Sequence, residues 1–342
     1  MILLESMRLR RRPHCRTRSF RYFAVSPLFV VSTAVLLLFG GMGVSVASSS
    51  QTSLPLPSYE EAAISTDWVL TPMGYAYADC VYTVPDGAEV SVEDRAILTN
   101  GVRYATIPEC PYAGVVNMQN NSMAVRGSTG QSSLLQGSYP NDWWLDTWWD
   151  SPLDIMSLSA QWVVPAAPAT TGALIYLFTS LQPSGAGGGI LQPVLQWGSN
   201  GAFGGNFWGM ANWSLFGGNM YHGNMMATPT GHSIKGTISR TSVTTKSWIV
   251  SFTDITTGQS SDYSTTTNTS SWKAVQGGVL EVNNATSCKQ LPKTTGISFT
   301  SITVKNGNGT VTPSFVEHNH LGTCASSITR TTTSAVLQWS AS

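Results

Sequence analysis

The feature that most constrains this chain is a series of ten short strand-like runs that fills its second half. The runs lie between Gln161 and Trp339 and are separated by turns rich in Gly, Ser, Thr and Asn, with no ten-residue helical period among them. Such a series is typical of antiparallel sandwiches and barrels. We therefore predict an all-β fold for residues 151–342, namely a two-sheet antiparallel β-sandwich, with a barrel as the alternative.

The first 47 residues predict an export signal. Seven arginines from Arg8 to Arg21 precede an apolar run from Phe23 to Val46, and Ser45-Val-Ala47 offers the small residues that a signal peptidase reads. We expect cleavage after Ala47 and a secreted protein. The apolar run is also long enough to span a bilayer, so an uncleaved signal anchor that tethers the protein to a membrane is the alternative.

Charge argues against two classes of partner. Without residues 1–47 the chain keeps 11 basic and 17 acidic residues, a net charge of −6. A mildly acidic exported protein lacks the basic surface that nucleic acid or an anionic membrane attracts. We expect a monomer without cofactor, and a polypeptide or a polysaccharide as its ligand.

Residues 48–150 form a second region of opposite charge. They hold twelve acidic and three basic residues, whereas residues 151–342 hold five acidic and eight basic residues. Two strand-like pieces, Cys80 to Val90 and Ile97 to Tyr104, carry Asp-Gly and Asn-Gly turns, and a polar linker follows at about residues 117–138. We predict a small, acidic, disulfide-pinned β unit and a linker. Four tryptophans of the segment that follows, Trp143, Trp144, Trp148 and Trp149, are expected to pack this connection against the sandwich, with a ligand platform as the alternative.

Cysteines and glycosylation sequons agree with export. After signal removal the four remaining cysteines are an even set that an oxidising compartment can close into two disulfides, with Cys80–Cys110 and Cys288–Cys324 as the local but not the only pairing. Five Asn-x-Ser/Thr sequons predict surface glycans in a host that glycosylates, at Asn120, Asn212, Asn268, Asn284 and Asn308.

Glu281 is the first candidate for chemistry. It is one of five carboxylates after Ser151 and stands within the strand-like run Gly278 to Val282, where Glu is disfavoured. Alternation turns it away from Leu280 and Val282, toward the wetter face of a sheet.

Two amides on another strand are candidates for binding. In Gly189 to Gly198, alternation places Gln192 and Gln196 on one face, opposite to Leu195 and Trp197. An amide donates and accepts hydrogen bonds, which suits holding a polar ligand or an oxyanion, although cross-strand bonding to neighbours explains such residues equally well.

The order of several segments resembles the eqolisin family of glutamic peptidases. The segments that carry the resemblance are Gln161-Trp-Val-Val-Pro165, Gly189-Ile-Leu-Gln192, Asn206-Phe-Trp-Gly-Met-Ala-Asn-Trp213, Gly231-His-Ser-Ile-Lys-Gly236, Thr253-Asp-Ile-Thr-Thr-Gly-Gln-Ser260, Gly278-Val-Leu-Glu281 and Ile297-Ser-Phe-Thr-Ser-Ile-Thr-Val304. The resemblance implies a concanavalin A-like sandwich, and peptide hydrolysis by one Gln and one Glu on its concave sheet.

On this resemblance Gln192 and Glu281 are the catalytic dyad. Glu281 would take a proton from water, and Gln192 would orient that water and donate to the oxyanion. The two side chains are then expected side by side, roughly 3 to 6 Å apart. Gln196, Trp208, Asn212 and Trp213 are the candidate substrate-binding residues, although a core role fits the tryptophans equally well.

The chain also departs from the family in its acidic residues. Ser180-Leu-Gln-Pro183 replaces the family's Gly-Ile-Asp-Gly, Gln196 stands in place of an Asp, and Asn212 stands where further carboxylates are found. These changes favour the alternative of a non-catalytic, lectin-like sandwich that binds carbohydrate or another polymer. A structural surface protein held by the signal anchor is a third interpretation.

One histidine pair is a weaker candidate. Glu317-His-Asn-His320 places two imidazoles on one face if the segment is extended, which suits a metal when a third ligand is near. We interpret it as a polar surface loop and predict no metal site.

Overall fold

The computed structural model describes residues 53–116, 142–184, 189–201 and 203–342. The predicted export signal, the sequon at Asn120 and the linker from residue 117 lie outside these ranges. The described residues belong to one compact unit. None of the helices within them is long and apolar enough to cross a membrane.

Strands dominate the described residues. Helix α1 (Tyr59–Ile64) comes first, and short 3-10 turns cover Ala78–Cys80 and Cys288–Gln290. The strands are β1 (Trp68–Thr71), β2 (Gly74–Tyr77), β3 (Val81–Val84), β4 (Glu89–Ser91), β5 (Ala96–Thr99), β6 (Val102–Thr106), β7 (Asp142–Asp150), β8 (Ile155–Val163), β9 (Leu174–Pro183), β10 (Ile190–Ser199), β11 (Gly204–Phe216), β12 (Asn219–Gly223), β13 (Met226–Ala227), β14 (Ser233–Ser242), β15 (Ser247–Asp254), β16 (Ser260–Thr266), β17 (Trp272–Asn283), β18 (Gly296–Asn306), β19 (Gly309–Val311), β20 (Val316–Asn319), β21 (Ser327–Arg330) and β22 (Ala335–Gln338).

Two large sheets form the sandwich, which confirms the predicted fold class. Sheet A has the order β20-β7-β17-β9-β10-β11-β12-β3, with β13 beside β11. Sheet B has the order β21-β22-β18-β8-β14-β15-β16-β4-β5-β6, with β19 beside β18. Pairing is antiparallel except where β3 joins β12 and β4 joins β16 in parallel. Residues 53–116 therefore supply strands to both sheets.

The two sheets differ in how their faces are buried. In sheet B, β15 alternates strictly, with Trp248, Val250 and Phe252 buried and the residues between them partly exposed. In sheet A, every residue of β9 is buried. The face of sheet A that is turned away from sheet B, here called the outer face, is therefore covered as well.

Two hydrophobic clusters account for this pattern. One cluster draws on both sheets and fills the space between them, with Leu177, Leu195 and Trp162 among its members. The other lies on the outer face and joins sheet A to the N-terminal segment; its buried members include Leu70, Tyr75, Ala76, Val115, Val116, Trp143, Trp148, Tyr176, Phe178, Val194, Trp213 and Leu215. The tryptophans of β7 thus pack on both faces of sheet A, because Trp143 and Trp148 belong to the outer cluster and Trp144 belongs to the cluster between the sheets.

Both predicted disulfides are present in the local pairing. Cys80 bonds to Cys110 and Cys288 to Cys324. The sequon asparagines differ in exposure: Asn268, Asn284 and Asn308 are exposed, whereas Asn212 is fully buried and donates from Nδ2 to the carbonyl of Ser261 at 3.0 Å. A glycan on Asn212 is incompatible with this fold.

A buried carboxylate closes the turn between β15 and β16. Asp254 Oδ1 accepts from the backbone N–H of Thr256 at 2.9 Å, and Oδ2 lies 2.7 Å from Nδ1 of His232. Burial raises the pKa of Asp254, but the hydrogen bonds from His232 and Thr257 outweigh it, and the pKa lies below its ordinary value.

We expect Asp254→Asn to lower the free energy of unfolding by about 1 to 2 kcal/mol at pH 7, because a charge-assisted hydrogen bond is lost. A carboxyl group whose pKa is lower in the folded than in the unfolded state stabilises the fold when the pH is above its unfolded-state pKa. This stabilisation is lost as the pH falls through its folded-state pKa. The difference from the parent should therefore shrink between about pH 5 and pH 2. Urea unfolding at several pH values measures it, with exposed Asp150→Asn as control; a difference that is constant with pH would contradict the role of the charge.

Candidate functional site

Gln192 lies at the centre of the outer face, in a row of side chains that crosses sheet A. On one side it stands opposite Trp213 of β11. On the other, the pairs Leu191–Leu181 and Val194–Phe178 place it opposite Ser180 of β9. Gln192 and Trp213 are completely buried.

The same row continues to Gln276 of β17. Ser180 is the register partner of Gln276, and its hydroxyl donates to Gln276 Oε1 at 2.5 Å. Gln276, Ser180, Gln192 and Trp213 thus form one cross-strand line, here called the amide row. Sequence reasoning missed Gln276 and Ser180.

Glu281 belongs to a different row. Its register partner on β9 is Tyr176, and Tyr176 pairs in turn with Gln196 of β10. Glu281 and Gln192 are therefore two strands and four residues apart, which corresponds to roughly 16 Å between their Cα atoms at ordinary strand spacing. The structure does not bring the proposed dyad side by side.

A bulge in β17 sets these rows. The register shifts between Gln276 and Gly278, so that three residues of β17 pass two of β9. A Cβ on Gly278 would lie 2.5 Å from the ring of Phe299, and one on Gly277 would lie 2.7 Å from the ring of Phe315. Only glycine fits the bulge, and the Gly-Gly pair is the sequence signal that could have revealed it.

Glu281 points to the outer face, as alternation predicted, but the expectation of a wetter face is wrong because this face is covered and Glu281 is buried. It is 2% exposed, and Oε2 accepts from the indole N–H of Trp143 at 3.1 Å. Oε1 accepts from Asn283 Nδ2 at 3.0 Å. Burial raises the pKa of Tyr176, and the neighbouring charge of Glu281 raises it further.

The chain's own N-terminal hairpin covers this site. Tyr176 donates its hydroxyl to the carbonyl of Leu70 at 3.1 Å, and Gln192 Nε2 makes a longer contact of 3.5 Å to the carbonyl of Pro72. Leu70 and Tyr75, one from each strand of the β1–β2 hairpin, are buried against sheet A. The outer face therefore holds a polypeptide segment by its main chain and by its apolar side chains.

The other predicted substrate-binding residues have separate positions. Gln196 faces outward, but its Nε2 donates to the carbonyls of Gly198 at 2.8 Å and Phe203 at 3.3 Å and so holds a loop. Trp208 packs between the two sheets. Asn212 reaches sheet B through its bond to Ser261. Of the four, only Trp213 adjoins Gln192 on the outer face.

The segment predicted as a polar surface loop is a strand. Val316 to Asn319 form β20 and pair with β7 at the edge of sheet A. β20 begins with the apolar residue Val316. Its Glu317 forms a salt bridge with Arg330 of β21, at 3.1 Å from Arg330 Nε. An extended backbone places His318 and His320 on one face, as the sequence pattern requires.

We expect Gly278→Ala to destabilise the protein by about 1 to 3 kcal/mol, because the new methyl group must displace the buried ring of Phe299. Gly307→Ala is the matched control, since a Cβ there meets nothing within 4 Å. Thermal and urea unfolding compare the two variants. Equal stability of both would contradict the tight bulge.

Comparisons with known proteins give distant likenesses. No protein-family model and no curated protein matches the chain. Among solved structures it is similar to a scytalido-glutamic peptidase with a transition state analog inhibitor, at 15% identity over 58% of this chain and 98% of that one, with a TM-score of 0.43. It is also similar to SCP-B, an eqolisin peptidase in complex with the tripeptide Ala-Ile-His, at 16% identity over 58% of this chain and 98% of that one, with a TM-score of 0.40. A third similar structure is aspergilloglutamic peptidase from Aspergillus niger, at 17% identity over 48% of this chain and 98% of that one, with a TM-score of 0.34. These likenesses concern the fold and bear on no residue or reaction of this chain.

Proposed function

We propose that this chain is an exported protein whose outer face on sheet A binds polypeptide in extended form. The observation that carries the proposal is the hydrogen bonding of the hairpin, in which Tyr176 and Gln192 donate to two main-chain carbonyls. Main-chain recognition of this kind accepts many sequences. The two disulfides are compatible with export.

The chemistry of the face favours polypeptide over polysaccharide. Beside Gln192, the surface is formed by apolar side chains such as Phe178 and Val194, which suit the side chains of a peptide. Trp213 is not presented as a flat stacking platform for a sugar, because its ring packs against Phe203 at 5.5 Å and His222 at 5.0 Å between centroids.

Peptide hydrolysis by Gln192 and Glu281 is the second candidate, favoured by the resemblance of the sequence to glutamic peptidases. Glu281 would act as general base and Gln192 as donor to the oxyanion. Hydrolysis requires both groups to reach one scissile bond, whereas the register separates them by two strands and four residues. On β17, the strand of Glu281, the residue that shares a row with Gln192 is Gln276, whose amide cannot act as a base.

Rebinding of the hairpin tests the binding function. A chain that begins at Ala78 should bind the ten-residue peptide with the sequence of Trp68 to Tyr77 at micromolar concentrations, measured by fluorescence polarisation. Gln192→Ala and Tyr176→Phe should weaken binding about three- to tenfold each, because each removes one hydrogen bond of about 0.5 to 1.5 kcal/mol.

Three controls accompany this measurement. Gln338→Ala and Tyr104→Phe change exposed residues of the same types and should leave the affinity unchanged. The intact chain should bind the peptide at least tenfold more weakly, because its tethered hairpin competes at high effective concentration. Equal affinity of the intact and shortened chains would exclude the outer face as the binding site.

Proteolysis separates binding from hydrolysis. We expect neither the intact nor the shortened chain to cleave a denatured protein between pH 2 and 7, a range that includes the ordinary glutamate pKa of about 4.3. Mass spectrometry of the products measures cleavage. Activity that is lost in both Glu281→Gln and Gln192→Ala, and kept in Gln338→Ala, would instead support the hydrolase.

A further inference from the structure

We propose that Asp146, His318 and His320 form a binding site for a divalent transition metal of the zinc type. One ligand atom from each residue lies within 4.8 Å of the other two. The site is at the edge of sheet A, between β7 and β20, and it is independent of the proposed function.

The pairing of two strands builds the site. His318 is the register partner of Asp146, so both side chains point to the same face of the sheet. His320 follows two residues later, and its backbone N–H donates to the carbonyl of Trp144 at 2.8 Å, which continues the ladder. The imidazole centroids of His318 and His320 are 6.0 Å apart. Rigid main-chain pairing therefore positions all three ligands.

The distances suit a tetrahedral metal. His318 Nδ1 is 3.1 Å from Asp146 Oδ2, and His320 Nε2 is 3.9 Å from Asp146 Oδ1. Zinc bonds of about 2.0 to 2.2 Å place neighbouring ligand atoms roughly 3.3 to 3.6 Å apart in a tetrahedron. The observed distances lie on either side of this value, and small side-chain rotations would adapt them to one ion.

A second observation points to a cation at this place. Asp146 is 1% exposed, and its Oδ1 has no hydrogen-bond partner among the described residues. A buried carboxylate oxygen without a hydrogen bond is costly, and a bound cation would compensate for it. The side chains of His318 and His320 are 36% and 20% exposed, which leaves solvent access for a fourth ligand such as water.

The ligand set selects the class of metal. Two imidazole nitrogens and one carboxylate suit Zn²⁺ and similar transition metals, whereas Mg²⁺ and Ca²⁺ prefer oxygen ligands. The sequence pattern singled out the two histidines but not the third ligand, because Asp146 precedes His318 by 172 positions.

The pair His232 and Asp254 provides an internal comparison. It has a similar His–Asp contact of 2.7 Å and a buried carboxylate, but a single imidazole. Its Asp254 Oδ1 is occupied by backbone N–H groups of Thr256 and Thr257. A His–Asp pair with one imidazole and a hydrogen-bonded carboxylate supports the fold and does not offer a metal site. His232→Ala is therefore the matched control.

Metal titration of the purified full chain, made without a histidine tag and treated with chelator, tests the proposal. We expect one Zn²⁺ per chain by isothermal titration calorimetry, with micromolar or tighter affinity. His318→Ala, His320→Ala and Asp146→Asn should each weaken binding at least tenfold, while His232→Ala should not. Titration with Co²⁺ should give the visible absorption bands of a tetrahedral site, and His320→Ala should abolish them.

Circular dichroism before titration establishes that each variant is folded. Asp146→Asn changes a buried residue and can therefore unfold the chain. If it does, His320→Gln replaces it, because His320 is more exposed, and the same tenfold loss of affinity is expected. Absence of stoichiometric Zn²⁺ binding by the parent chain would overturn the proposal. Unchanged affinity in the folded His318 and His320 variants would overturn it as well, and would leave these residues as ion pairs that support the edge strand.

Discussion

The structure depends on the fact that sheet A is buried on both faces. A two-layer sandwich buries one face of each sheet, and strands that are buried throughout, such as β9, require a second covering layer. Residues before β3 supply that layer through Leu70, Tyr75 and Ala76. The N-terminal segment therefore buries the outer face of sheet A, and the strands that follow it extend both sheets, β3 in sheet A and β4 in sheet B.

Burial of the outer face also determines its chemistry. Polar groups there are removed from water, and most of them bond to other protein groups: Ser180 to Gln276, Glu281 to Trp143, and Tyr176 to the hairpin. A face built from donors that reach main-chain carbonyls is suited to recognition. Acid–base catalysis requires in addition a carboxylate beside the oxyanion donor, and the strand register places Glu281 opposite Tyr176, four residues along β9 from the Ser180 position that adjoins Gln192.

The sequence predicted what depends on local pattern. Alternation identified the sandwich and the outward direction of Gln192 and Glu281, and cysteine spacing favoured the disulfides that form. It could not predict which residues stand opposite one another, because register depends on bulges that local propensity does not report. Gln276 was missed for this reason, Asp146 because it lies 172 positions from His318, and the burial of Asn212 because a sequon carries no information on burial.

The position of the first disulfide relative to the hairpin has a consequence for proteolysis. Cys80–Cys110 closes a loop that begins after β2, and the described residues before Cys80 contain no cysteine. A cut inside the loop would leave both fragments joined. A single cut between Tyr77 and Cys80 would instead leave the hairpin held by non-covalent contacts alone, so that it could dissociate on dilution and expose the outer face.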